Sequence, residues 1–228
     1  MTRFDYSGLT AKLNTRNPPV RLIAVSKGQG TAQIAHLHAL GQREFGENYL
    51  DELTTKTSTL AASDIRWVFI GKLQSNKIQR IVQLAAEIQS IASVKHARYV
   101  ARYAAEFGKV PYPVFVEVNL EGEASKGGIP VKEAETVCRE IAASHPELDV
   151  RGLMCIPPAQ YSDESAGGTV PDAYCELAAI ARRCGRGELS LGMSGDLDIA
   201  LAAGSTCVRI GRALFGERVP LPQDQSIG

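Results

Sequence analysis

Short apolar runs recur along this chain, separated by longer segments in which apolar and polar residues mix at helical spacing. That rhythm is the signature of repeated strand–helix units. Eight runs read as strands: 20–26, 44–47, 67–70, 88–91, 114–119, 150–156, 189–193 and 207–210. The first contains four apolar residues in a row, Leu22-Ile23-Ala24-Val25, which fits a strand covered on both faces. Helical segments fill the spaces at 33–40, 48 to about 60, 75–85, 95–107, 131–144, 171 to about 183, and 197–203. Ser75 and Asn76 are candidate N-caps of the third, and Pro130 and Pro171 precede the fifth and sixth. Gly108 and Gly204 stand where helices commonly end.

Eight such repeats predict a (β/α)8 barrel, an α/β fold, as a single domain over 1–228. After the eighth strand only 212–217 can be helical before Pro220 and Pro222, so 1–16 is expected to supply a helix packing in the gap. The segment 157–171 is long and polar and is expected to cap the barrel top or to move. A doubly wound open sheet would need a glycine-rich nucleotide turn after the first strand. Lys27-Gly28-Gln29-Gly30 is not that motif, and Gly71-Lys72 lacks the rest of a P-loop.

Composition narrows the function classes. Lys plus Arg and Asp plus Glu are both 25, so no global field draws nucleic acid or an anionic membrane. No apolar run approaches the length of a bilayer span, and the N-terminus lacks the pattern of a signal peptide. A cytoplasmic location is expected. The five cysteines are scattered, without a C-x-x-C pair, as suits reduced thiols. His36 and His38 stand two apart in a helical segment and face different directions, so they are not read as a metal pair.

In a barrel the chemistry collects at the C-terminal ends of the strands. The first strand ends at Lys27, a lysine partly withdrawn from water. Burial lowers the cost of losing its proton, and a neutral amine can form a Schiff base with a carbonyl. It can equally extend outward and bind nothing. The loops after the seventh and eighth strands hold Ser194, Gly195, Gly211 and Arg212, the usual place for a phosphate in such barrels. There glycine lets an anion approach backbone N–H groups, and a following helix N-terminus adds positive charge. Arg209 should point into the barrel. Either it pairs with a carboxylate such as Glu47 or Glu117, or it donates to a ring nitrogen of a bound cofactor. A lysine, a phosphate cup and a ring-nitrogen donor together describe a pyridoxal 5'-phosphate (PLP) site.

Several motifs carry a family resemblance. Ala24-Val-Ser-Lys27, Phe45-Gly-Glu-Asn-Tyr49, Phe69-Ile-Gly-Lys-Leu-Gln-Ser-Asn-Lys77, Ser125-Lys-Gly-Gly128, Arg151-Gly-Leu-Met154, Leu191-Gly-Met-Ser194 and Val208-Arg-Ile-Gly211 occur in order from about 20 to 217. The chain thereby resembles the pyridoxal phosphate homeostasis proteins, single-domain relatives of the alanine racemase N-terminal barrel. The resemblance implies that Lys27 carries the Schiff base, that Ser194, Gly211 and Arg212 hold the phosphate, and that Arg209 faces the pyridine nitrogen. It also implies that Asn48 and Met154 line the ring. The chain departs from the family pattern at Lys72, Gly195 and Arg212.

Arginine keeps its proton, so a pyridine nitrogen facing Arg209 stays neutral and is a weak electron sink. Racemases of this fold carry a second domain and a tyrosine from a partner subunit, for which the chain past the eighth strand leaves no room. Lys27 alone offers acid–base chemistry on one face of a substrate carbon. The expectation is therefore a PLP-binding homeostasis protein more than an enzyme, acting as a monomer and passing the cofactor to recipient PLP enzymes. A PLP enzyme with weak racemase-type activity is the alternative, and a cofactor-free Schiff-base aldolase acting on a phosphorylated sugar is a third reading.

Overall fold

The computed structural model describes residues 5–61, 64–122, 127–158, 160–167 and 169–216. Helix α1 (Tyr6–Asn14) comes first, followed by strand β1 (Arg21–Val25). Alternation then continues through α2 (Thr31–Ala39), β2 (Glu44–Glu47), α3 (Leu50–Thr59), β3 (Arg66–Phe69), α4 (Ile78–Leu84), β4 (Glu87–Ile91), α5 (Val94–Glu106) and β5 (Tyr112–Asn119). The second half contains β6 (Ile129–Pro130), α6 (Ala134–Ser144), β7 (Leu148–Cys155), α7 (Asp163–Ala166), α8 (Asp172–Ala181), β8 (Glu188–Ser190), α9 (Leu197–Ala203), β9 (Cys207–Ile210) and α10 (Arg212–Phe215).

All strand pairs are parallel, in the order β4-β3-β2-β1-β9-β8-β7-β5, and β4 pairs with β5 to close the ring. The protein is thus a (β/α)8 barrel. The two-residue β6 pairs with Val118 and Asn119, beyond the last β4 partner at Val116. Alternation along each strand separates two environments. Ile23, Val68, Ile70 and Cys207 meet inside the barrel. Their neighbours Ala24, Trp67, Phe69 and Val208 join the larger core between sheet and helices.

Helix α1 is capped by Asp5, whose carboxylate accepts from the Ser7 and Gly8 amides. It buries Leu9 and Leu13. Lys12 pairs with Asp198 of α9, and the Tyr6 hydroxyl reaches Gln42 at 3.3 Å. Tyr6 and the Asp5 cap share a surface groove with Leu214 and Phe215 of the single-turn α10. Phe4 and Glu217, at the edges of the expected end helices, lie outside the described residues, as do Ser125 and Lys126.

Some boundaries differ from the sequence pattern. Ser75 and Asn76 do not cap α4: they sit in a turn closed by Lys77 N–H to Gln74 O (2.8 Å), and the helix starts at Ile78. After Pro130 the chain makes a 3-10 turn, Val131–Glu133, before α6 begins. At the N-terminal end of the barrel, Arg21 donates to Glu44 and to Glu87 (2.9 Å) and lies 3.6 Å from Glu188. Arg151 in turn pairs with Glu188 and Asp149, and Arg186 pairs with Asp149 at 2.6 Å.

Candidate functional site

A cavity of about 740 Å³ opens at the C-terminal ends of the strands. Lys27, Asn48, Arg209, Gly211 and Arg212 line it, together with Ser194 and Gly195. Seven of the eight residues picked from the sequence therefore meet in one place. Met154 does not. It is fully buried, in register with Glu117 and Ser190, and is not among the residues that line the cavity. Ile156, Pro157 and Pro158 further along the same segment form the wall instead.

Lys27 occupies the second position of a turn. Gln29 N–H donates to Ser26 O (3.0 Å), and Gly28 takes φ +70°. No described residue other than glycine has positive φ, so the geometry is that of a type II turn with glycine at its third position. The turn lifts Lys27 off the end of β1 toward the cavity. Asn48 is set by the next strand end. The chain at Gly71 passes so close that a Cβ there would overlap the Asn48 carbonyl. Oδ1 of Asn48 is buried with no hydrogen-bond donor among the described residues, an unsatisfied acceptor on a residue that lines the site.

Arg209 is 3% exposed, and its guanidinium is held by neutral groups. It donates to Ser190 O (2.7 Å), Ser190 Oγ (2.6 Å) and Cys155 O (2.6 Å). No described ion pair joins it to a carboxylate; Glu47, one partner considered from sequence, pairs with Lys56 at 2.7 Å. Burial draws the Arg209 pKa below the usual arginine range, against the pull of Cys207, Cys155, Asp196 and Glu117. Glu117, near Arg209 and Lys72, is raised by burial more than those cations lower it.

The loop after β8 is tied down from three directions. The Met193 amide donates to Asp196 Oδ1 (2.7 Å), the Tyr174 hydroxyl donates to Asp196 Oδ2 (2.8 Å), and the Asp163 amide donates to Gly195 O (2.8 Å). The Asp163 carboxylate also accepts from the amides of Asp198 (3.2 Å) and Ile199 (2.9 Å). Protein carboxylate therefore fills the N-terminus of α9, which the sequence had offered to a phosphate. The amides left to an anion are those of Ser194 and Gly195 and, at the start of α10, those of Arg212 and Ala213; the Leu214 and Phe215 amides already donate to Gly211 O (2.9 and 3.1 Å). Arg212 is exposed beside them.

The segment 157–171, expected to cap the barrel top or to move, contributes side chains that the sequence did not single out. Tyr161 and Ser162 line the cavity, and Tyr161 packs on Tyr174 with ring centroids 5.5 Å apart. Two aromatics 13 residues apart, one in a loop and one in a helix, give no local signal of that contact. Among the described residues, no group of His, Cys, Asp and Glu is placed to hold a metal ion, and no helix is long and apolar enough to cross a membrane.

Residues 10–219 match the family model of the alanine racemase N-terminal domain. The "Pyridoxal phosphate homeostasis protein" of Pseudomonas aeruginosa is 38% identical over 199 residues, spanning 87% of this chain and 85% of that one. The protein of the same name from Caenorhabditis elegans is 37% identical over 212 residues, or 87% of this chain and 86% of that one. The chain belongs to the family of pyridoxal phosphate homeostasis proteins. Among solved structures, PipY of Synechococcus elongatus PCC7942 with PLP bound is 32% identical with a TM-score of 0.76, covering 90% of this chain and 97% of that one. Alanine racemase of Clostridium difficile 630, at 15% identity and TM-score 0.71, covers 96% of this chain and 57% of its own. The likeness to the racemase is one of fold.

Proposed function

We propose that this protein binds pyridoxal 5'-phosphate and serves its intracellular homeostasis, holding the cofactor as a Schiff base on Lys27. The observation that carries the reading is convergence. A turn-borne lysine, a buried arginine donor, an unsatisfied amide oxygen and an amide-rich turn come from four different strand ends and line one cavity. Membership of the homeostasis family and the PLP-bound relative agree with it.

The residues present fit the group. Lys27 supplies the amine that condenses with the aldehyde carbon: a C=N bond forms and water leaves. Ser194, Gly195, Gly211 and Arg212 form the phosphate cup. Arg209, fixed by Ser190 and Cys155, is the donor for the ring nitrogen. Asn48 supplies an acceptor at the ring edge, and Val25, Ile70 and Ile156 replace Met154 as apolar walls. The bound cofactor is an electrophilic aldehyde with a conjugated ring. Opposite an arginine, that ring stays unprotonated and withdraws electrons weakly.

This favours a carrier that passes PLP to recipient enzymes over a racemase. Location in the cytoplasm and a monomeric state belong to the same reading. Titration with PLP should shift the visible band of the wild-type sample away from that of free PLP, while Lys27→Ala at the same ligand concentration keeps the free-PLP spectrum. The loaded protein should release no product from, and exchange no α-hydrogen of, a panel of amino acids. Turnover of any of them at enzymatic rates would replace the carrier by the racemase-type alternative.

A further inference from the structure

Lys56 lies on α3, outside the cavity, and is 5% exposed. Its ammonium makes three short hydrogen bonds. It donates to Ser26 O (2.7 Å), to Glu47 Oε1 (2.7 Å) and to Glu52 Oε2 (2.6 Å). Two further contacts close the arrangement. The Gly28 amide donates to the same Glu52 oxygen (2.7 Å), and the Ser26 hydroxyl donates to the same Glu47 oxygen (2.6 Å).

The partners are not arbitrary points on the backbone. Ser26 O belongs to the peptide group before Lys27, and the Gly28 amide belongs to the peptide group after it. In a type II turn the first-position carbonyl already accepts from the fourth residue, here Gln29, while the third-position amide points away without a partner. Lys56 adds a second donor to that carbonyl, and Glu52 supplies the missing acceptor to that amide. One buried ammonium thus ties both peptide planes of Lys27 to the C-terminal end of β2 and the first turns of α3. A charged group this far from water is costly unless its geometry is satisfied, and three acceptors for three N–H donors satisfy it.

We propose that Lys56, with Glu52 and Glu47, forms a clamp that positions Lys27 for bond formation with its ligand. The proposal rests on the assignment of Lys27 as the Schiff-base lysine. None of Lys56, Glu52 and Glu47 lines the cavity, and they act through the peptide groups of Lys27, so they are positioning residues. Its role is to keep the Lys27 backbone from relaxing when the side chain becomes attached, so that less freedom is lost on binding.

The test is a double-mutant cycle on PLP affinity with Lys27→Ala and Lys56→Met, alongside the visible absorbance of the loaded protein and the melting of the cofactor-free protein. With Lys27 present, Lys56→Met should weaken PLP binding about tenfold and shift the visible band. In the Lys27→Ala background the same change should alter affinity less than about twofold, because only the attached state uses the clamp. Equal losses in both backgrounds, or none in either, would overturn the clamp. Lys27→Ala binding PLP with wild-type affinity and colour would instead remove the Schiff-base assignment, a distinct result. If Lys56→Met does not melt cooperatively, Glu52→Ala and Glu52→Gln decide. Glu52→Ala should cost about threefold with Lys27 present and nothing without it, and Glu52→Gln, which keeps a carbonyl oxygen for Gly28, should recover part of the loss. Indifference of affinity to Glu52→Ala, or a loss independent of Lys27, would count against the proposal.

Discussion

The two ends of the barrel handle charge in opposite ways. At the N-terminal end, Arg21 is surrounded by Glu44, Glu87 and Glu188, and Arg151 and Arg186 close on Asp149. Burial opposes the Arg21 charge, but Cys207, Glu87 and Glu44 outweigh it and raise its pKa. At the C-terminal end, the direct partners of Arg209 among the described residues are neutral oxygens, and the Asn48 oxygen has none among them. The first end matches buried charge with opposite charge, although Arg151 Nε and Glu188 Oε2 have no hydrogen-bond partner among the described residues. The second keeps polar capacity in reserve around a cavity. A line of hydrogen bonds through the core joins them. Arg209 donates to Ser190 Oγ, Ser190 to Gln89 Oε1 (2.7 Å), and Gln89 to Glu87 Oε1 (2.6 Å). Every donor on this line points toward the acidic end. The matched end therefore also orients the arginine of the open end. Stability and ligand recognition are separated in space and connected by a few side chains.

The contrast can be broken at either end. Arg21→Ala should cost the most stability. It strands Glu87, which is 2% exposed, and should lower stability by about 3 kcal/mol, or roughly 6–12 °C in the melting temperature. At temperatures where the variant is folded, PLP should still bind to it; loss of binding in the folded state would mean the two ends are not separable. Arg209→Met should act the other way round. It should change the visible spectrum and weaken PLP binding about tenfold, while Lys77→Ala, in the turn before α4 and not among the cavity-lining residues, changes neither. Equal spectra for the two variants would make Arg209 structural only.

The smallest effect concerns Glu117. Burial raises its carboxyl above the ordinary 4.5, so the folded state favours the protonated form. Its contribution is complete below pH 4.5 and is lost as pH rises through the folded value. Glu117→Gln should therefore raise the melting temperature at pH 8, and the gain should shrink to nothing as pH falls below 4.5. A gain independent of pH would point to packing instead.

Much of this organisation is legible in the chain. The eight strands fall where the apolar runs do, because a barrel strand is buried on both faces and hydrophobicity marks it without periodicity. Lys27, Asn48, Arg209 and Gly211 were reachable because barrel chemistry collects at strand ends, and a strand end can be counted from sequence. Met154 is buried and does not line the cavity: strand β7 runs on to Cys155, and Ile156 beyond it forms the wall. Partners were the least legible. Arg209 takes its oxygens from residues 19 and 54 positions away, and the α9 amides go to Asp163, 35 positions earlier. Such pairings depend on which loops the closed ring brings together, and no local pattern encodes them. Lys56 is intermediate: its i, i+4 spacing from Glu52 is visible, but its grip on the Lys27 turn needs the barrel.

The central claim is that one lysine, Lys27, holds the cofactor. Borohydride reduction of the PLP-loaded protein fixes a Schiff base at the nitrogen that formed it. Digestion and mass spectrometry then locate the modified lysine. The account predicts a single stoichiometric adduct on the peptide containing Lys27, absent from Lys27→Ala. An adduct on Lys72, Lys77 or Lys126 in its place, or no adduct in a protein that binds PLP, would contradict it.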